Sequence, residues 1–160
     1  MNIYLAARYS RHLEMQGYSK RLADLGHRVT SRWPWAGHEE DEASESGMGE
    51  SFARNAAQID LGDIAAAQIV INFTDGLGKG GAQRGGRHVE FGLSVALGKR
   101  VMLVGPRENV FHYLPQVEQF DSFNELLLDL AASHEPETPG VLAGLFDNTK
   151  HVGGVEAIKR

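Results

Sequence analysis

The chain contains no cysteine, which excludes a disulfide framework and a thiolate zinc site. Positive charge is also scarce. Sixteen Lys and Arg stand against 21 Asp and Glu, giving a net charge of −5. That balance argues against a surface built to coat a nucleic-acid polymer, while leaving local basic patches open. No apolar run is long enough for a membrane span, and the apolar part of the opening "MNIYLAARYSRH" is too short for a secretion signal. A cytoplasmic protein without a membrane partner is the expectation. A P-loop is missing as well, because Gly78-Lys79 is followed by Gly80 where Ser or Thr is required. The histidines are scattered. "HEEDE" at 38–42 has neither a spaced His pair nor a calcium-loop pattern, so no metal site is expected.

What is present is a globular composition. The 160 residues are 42% hydrophobic, enough for one domain with a real core. Residues 2–7, "NIYLAA", read as a strand buried on both faces. Ser10 is placed to cap a helix carrying Leu13, Tyr18, Leu22 and Leu25, closed by Gly26. "HRVTSRW" reads as a second strand. Residues 34–50 are polar, acidic and aperiodic, a long loop. A helix from Ser51 carries Phe52, Ala56, Ile59 and Ile64. "AQIVINFT" is a third strand, "DGLGKGGAQRGG" a glycine-rich loop, and residues 88–97 a helix with Val89, Leu93, Ala96 and Leu97 inward. "RVMLVG" is a fourth strand and "VEQF" a small fifth. The last helix, "DSFNELLLDLAA", opens with a Ser122–Glu125 capping box. Strands alternating with helices predict a single-domain α/β fold over residues 1–133. Its core would be an open parallel sheet of four to five strands flanked by helices, flavodoxin- or Rossmann-like. Residues 134–160, with Pro136, Pro139 and four glycines, read as a tail.

In such sheets ligands bind at the C-terminal strand ends. That rule gathers residues 6–11, 75–86 and 105–112 around one pocket. Gly76, Gly78 and Gly81 match a dinucleotide fingerprint, but no helix opens directly after them and no acidic residue ends the next strand. No cofactor is therefore expected, and a nicotinamide- or flavin-binding protein stays only as a competing reading. Glu90 is placed about three residues into its helix. There it is either an ordinary first-turn glutamate or, ionised by the helix end, a nucleophile toward a sugar carbon. Arg8, Arg11, Arg84 and Arg87, with Ser10, form a mouth able to hold a phosphate or simply a solvated rim. Asp75, Gly86 and His88 line the same edge. Asp60 and Asp63 lie toward the end of their helix, where a carboxylate asks for a partner.

Three segments then carry a resemblance: "IYLAA", "DLGDIAAAQIVINFT" and, most specifically, "GGRHVEFGLSVALGKRVMLVG". Over about residues 2–130 the chain resembles the nucleoside 2-deoxyribosyltransferase family, which includes 2'-deoxynucleoside 5'-monophosphate N-glycosidases. The resemblance implies that Glu90 attacks the anomeric carbon, Asp60 handles the base or its protonation, and Tyr4 orients Glu90. It also implies that Asn109 reaches a neighbouring subunit's site, hence a homodimer or larger homo-oligomer with shared sites. Gln83 and Arg84 stand where the transferases carry a second acid, and the arginine-rich mouth suits a 5'-phosphate. The expected substrate is a nucleoside or nucleotide. The alternatives are hydrolysis of 5'-monophosphates without base exchange and a non-catalytic nucleotide-sensing domain.

Overall fold

The structure, a computed structural model, describes residues 1–36, 49–76 and 85–133. The tail, Arg84, and most of the acidic and glycine-rich loops lie outside them.

Five strands form one sheet: β1 (Asn2–Ala6), β2 (Arg28–Val29), β3 (Ile69–Phe73), β4 (Arg100–Val104) and β5 (Val117–Phe120). Every pairing is parallel and the order is β2-β1-β3-β4-β5. β1 and β3 are adjacent although β2 intervenes in the chain, so the connections reverse direction between them. Such a switch point opens a crevice at the C-terminal strand ends. The helices are α1 (His12–Asp24), α2 (Glu50–Ala66), α3 (Gly86–Ala96) and α4 (Phe123–Ala132).

Strand alternation sorts the core into two layers. Ile3, Leu5, Ile69, Ile71, Phe73 and Met102 point to the face covered by α1 and α4, where Met15, Leu22, Phe123 and Leu126 meet them. Tyr4, Ala6 and Val70 point to the opposite face, against Ile64 of α2 and Leu93 of α3. Phe91 packs on Val101 and Leu103 on that same side. Tyr4 thus lies beneath the two helices that carry Asp60 and Glu90.

Several local expectations are corrected. β2 is only two residues long. Beyond Val29 the hydroxyls of Thr30 and Ser31 bond the β1 backbone, Leu5 N donating to Ser31 Oγ at 2.6 Å, and Trp33–Trp35 turns away as a 3-10 helix. Ser10 does not cap α1. It is exposed within the 3-10 turn Tyr9–Arg11, and Arg11 occupies the cap position without a side-chain bond to the helix backbone. Leu13 is 69% exposed; Met15 and Ser19 take the buried face with Leu22. In α3 the inward positions are Arg87, Phe91 and Ser94, while Val89 is 70% exposed and Leu97 half-exposed. Arg87 and Ser94 turn inward because partners await them: buried carboxylates for the first, the Glu90 carbonyl for the second. At α4, Ser122 Oγ accepts from Glu125 N at 3.2 Å, and the Glu125 carboxylate takes the amide of Asp121 in return.

Gly105, just past β4, has φ +105°, and a Cβ there would lie 2.7 Å from Thr74 Oγ1 and 2.9 Å from Thr74 O. Only glycine admits both the dihedral and this approach of two chain segments. Gly105→Ala is expected to lose on the order of 1–3 kcal/mol of stability. Thermal unfolding measures it, as a Tm lowered by several degrees. A Tm within about a degree of the parent would show that the crossing relaxes without strain.

Candidate active site

α3 begins at Gly86, preceded by Gly85 in the left-handed region at φ +68°. The early start makes Glu90 the fifth helical residue. It lies past the first turn, where a helix dipole would favour its charge. The expected ionisation by the helix end is therefore corrected. Tyr4, fully buried in β1, donates its hydroxyl to Glu90 Oε1 at 2.9 Å. Glu90 is partly exposed as a residue, yet burial is the largest influence on its carboxyl and pushes it up to about 7. The Tyr4 hydrogen bond pulls it down, and the negative field of Asp60 raises it further.

Asp60 belongs to the same cluster. Burial raises its carboxyl to about 6, the charge of Asp63 adds to the rise, and the Tyr4 hydroxyl and Arg32 oppose it. Tyr4 in turn is held well above the usual phenol range by burial and by Glu90 and Asp60. Three titratable groups from β1, α2 and α3 thus converge where donors are few. Glu90 and Asp60 each prefer the proton at a pH where a solvated carboxyl has lost it.

The rim is the opposite kind of site. Asp75, two residues past β3, faces three guanidinium groups: Arg8 Nε at 2.7 Å, Arg11 Nη1 at 3.2 Å and Arg87 Nη1 at 2.8 Å. Arg11 also grips Glu14 with two nitrogens at 2.6 and 2.8 Å. Arg87 is 5% exposed and pairs through its other nitrogen with Glu108 at 2.8 Å. Glu108 accepts from the amides of Asp75 and Gly76 besides. The candidate phosphate residues Arg8, Arg11 and Arg87 are thus gathered together, each beside a carboxylate. Ser10 and Gly86 are exposed at the same edge.

Asn109 is engaged within its own chain. Its Oδ1 accepts from Phe111 N at 2.9 Å, capping the 3-10 turn Val110–Tyr113. Its Nδ2 lies 3.1 Å from His112 Nε2 and 3.4 Å from His88 Nδ1. His112 is fully buried against the edge of Phe91 and accepts the Glu108 amide. Burial lowers its pKa, in keeping with a ring whose Nδ1 accepts a backbone amide.

Sequence reasoning missed Asn72, Glu108, His112 and the pairing of Asp63 with Arg32. Asn72 left a signal, as the one amide inside the apolar run "IVINF". Its Nδ2 donates to the Arg87 carbonyl, and its Oδ1 is buried without a partner among the described residues. Asp63 and Arg32 are 31 residues apart in sequence, so no spacing rule connects them. Among the described residues no His, Asp and Glu group that could hold a metal is present, and no helix is long and apolar enough to cross a membrane.

The raised carboxyl of Glu90 has a consequence for stability. Between its ordinary value of 4.5 and about 7, the folded state binds a proton that the unfolded state has released. Folding stability therefore falls as pH rises through that window. Glu90→Gln keeps an acceptor for Tyr4 and removes the titration. The variant is expected to gain on the order of 1–3 kcal/mol over the parent at pH 8, and little at pH 4.5. Urea unfolding at both pH values tests this, and a gain independent of pH would refute the assignment.

No protein-family model and no curated protein sequence matches the chain. Solved structures do. One is a 2-deoxyribosyltransferase from Bacillus psychrosaccharolyticus, 25% identical over 79% of this chain and 90% of that one, with a TM-score of 0.55. Another is the CMP N-glycosidase BcmB of Clostridium botulinum, 18% identical over 82% and 99% of the two chains, with a TM-score of 0.51. The second likeness is one of fold alone. With the parallel sheet and the transferase's 25% identity over most of both chains, the chain is similar to the nucleoside 2-deoxyribosyltransferase-like family.

Proposed function

We propose that the chain cleaves or transfers at the N-glycosidic bond of 2'-deoxyribonucleosides or their 5'-monophosphates, with Glu90 as nucleophile. The observation that carries this reading is the 2.9 Å hydrogen bond from Tyr4 to Glu90, with Asp60 beside it, under the helices that flank the sheet's switch point. The Glu90 carboxylate attacks C1', and the bond from C1' to the base nitrogen breaks with its electron pair going to the base. The reactive form is the one with Glu90 ionised and Asp60 protonated, the minority arrangement where Glu90 holds its proton up to about 7 and Asp60 up to about 6, and from it Asp60 gives its proton to the departing base. Tyr4 holds the attacking oxygen in line and favours its ionised form. A deoxyribosyl ester on Glu90 results, formed through an oxocarbenium-like transition state. Water or a second base then takes the sugar from it. The 25%-identical structural neighbour is a 2-deoxyribosyltransferase, which supports this reaction class.

A second reading, hydrolysis of 5'-monophosphates, is favoured by the partly exposed Arg8 and Arg11, whose side chains are 26% and 21% accessible. A 5'-phosphate there would share those two guanidinium groups with Asp75. Arg87, whose side chain is 4% accessible, serves the fold instead. A non-catalytic sensing domain would bind nucleotides in the same crevice and release no base.

Glu90→Ala and Glu90→Gln are expected to lower base release on the order of a thousandfold or more, with circular dichroism unchanged. Chromatography of a panel of deoxynucleosides and their monophosphates, with and without an acceptor base, measures it. Near-parental turnover in either variant would end the proposed role of Glu90, and absence of released base from every substrate would favour the sensing domain. Phosphate recognition is expected to give monophosphates at least about a tenfold advantage in kcat/KM. Equal use of nucleosides would return the reading to base exchange.

We further propose a homo-oligomer, at least a dimer with shared sites. Val110, Phe111 and Tyr113 are 77%, 63% and 67% exposed on one short turn, beside Asn109. Apolar surface of this kind marks interfaces. Light scattering is expected to report a dimer or larger, and a smaller species for Phe111→Glu. A monomeric parent would exclude it.

A further inference from the structure

Asp63 lies one helical turn beyond Asp60 on α2 and is buried at 7% exposure. A carboxylate at that depth requires partners, and all of the described ones come from one residue. The Arg32 amide donates to Asp63 Oδ2 at 3.0 Å, and Arg32 Nε and Nη2 lie 3.0 and 2.9 Å from Oδ1. The Asp63 carbonyl is held as well, by Thr30 Oγ1 at 3.0 Å. The same hydroxyl reaches Ile3 O, next to Tyr4. The second half of α2 is thus stapled to the segment leaving β2, and through it to the strand that carries Tyr4. The Arg32 side chain is 64% exposed, so its charge sits at the water boundary while that of Asp63 sits inside.

We propose that the Asp63–Arg32 pair is a positioning device for Asp60: a clamp one turn behind the acid that fixes it beside Tyr4 and sets the field in which it gives up its proton. This rests on reading Asp60 as the acid of glycosidic-bond cleavage. The charged and titratable groups facing Asp60 among the described residues are Tyr4 from β1, Asp63 from its own helix, Arg32 from the segment after β2 and, beyond Tyr4, Glu90 from α3. Asp63 and Arg32 act on Asp60 with opposite signs, Asp63 favouring the bound proton and Arg32 its loss. Neither needs to touch the substrate. An acid poised near neutrality is more useful for protonating a leaving base than one of ordinary strength. Arg32 keeps the buried Asp63 carboxylate paired and in place one turn from Asp60.

The test is the titration of Asp60, followed through carboxyl chemical shifts of carbon-13-labelled aspartate in the full chain, together with the pH profile of base release. Asp63→Asn keeps an acceptor for the Arg32 amide and removes the charge. Asp60 is then expected to titrate at lower pH by about half a unit or more, roughly threefold in proton affinity. Arg32→Gln, a change at an exposed side chain, is expected to move it to higher pH. The double variant is expected to return toward the parent, because the two influences oppose each other. The limb of the kcat/KM profile carried by Asp60 follows in the same directions. A merely structural clamp would shift both single variants the same way, or shift stability alone, and either result overturns the proposal. A parent that titrates as expected but releases no base would refute the proposed function and leave the clamp standing. Unmoved titration in both variants, with base released normally, would refute the clamp and leave the function.

Discussion

Arg87 brings a full charge into the first turn of α3, at 5% exposure, and the carboxylates that meet it lie on two different loops. Asp75 lies two residues past β3 and Glu108 four past β4, so the guanidinium fork ties the loops after two adjacent strands to the start of one helix. Burying such ions gains little net stability, because desolvation offsets the attraction. Removing one partner, by contrast, leaves an uncompensated buried charge at a cost of about 3–5 kcal/mol. The network is therefore best understood as a constraint on geometry. It fixes where α3 begins over the sheet edge, and Glu90 follows three residues later on the same helix.

Two kinds of carboxylate environment result. On the rim, Asp75 and Glu108 are saturated with guanidinium and amide donors. Inside, Glu90 has one phenolic hydroxyl, and Asp60 has a like charge one turn away. Charge is satisfied where the fold is tied together and left wanting where, on the proposed function, a proton moves. Carboxyls raised by burial cost stability above their ordinary range, and such perturbed groups in a crevice are what a reacting site needs.

Much of this was legible before any coordinates. Alternating apolar segments predicted the parallel sheet, and "VEQF" proved to be its fifth strand because four apolar-flanked residues suffice at an edge. Tyr4, Asp60 and Glu90 were placed by resemblance, and the structure brings them together. The arginine cluster was read from position alone. Its internal pairing was invisible, since Asp75 and Glu108 are 33 residues apart and spacing carries no information about contact at that distance. The inward face of α3 was misread for a related reason. Helical periodicity assumes that apolar side chains turn inward, and Arg87 and Ser94 displaced Val89 and Leu97 by having partners. Residues 37–48, 77–84 and 134–160 lie outside the described structure.

The rotation of α3 ties the site to the surface. Positions 87, 91 and 94 form one helical stripe toward the sheet, and Glu90 sits at its margin, where its carboxyl reaches Tyr4 instead of packing beneath the helix. Turning the helix to bury Val89 would move Arg87 off Asp75 and swing Glu90 away from the strand. The exposed Val89 is thus the other side of the same geometric choice. Next to β4 the same trade recurs. Asn109 spends its amide on capping the turn and on His112, and His112 fills the interior against Phe91. Val110, Phe111 and Tyr113 are left facing outward. In both places polar groups hold interior positions, and the apolar side chains beside them become surface.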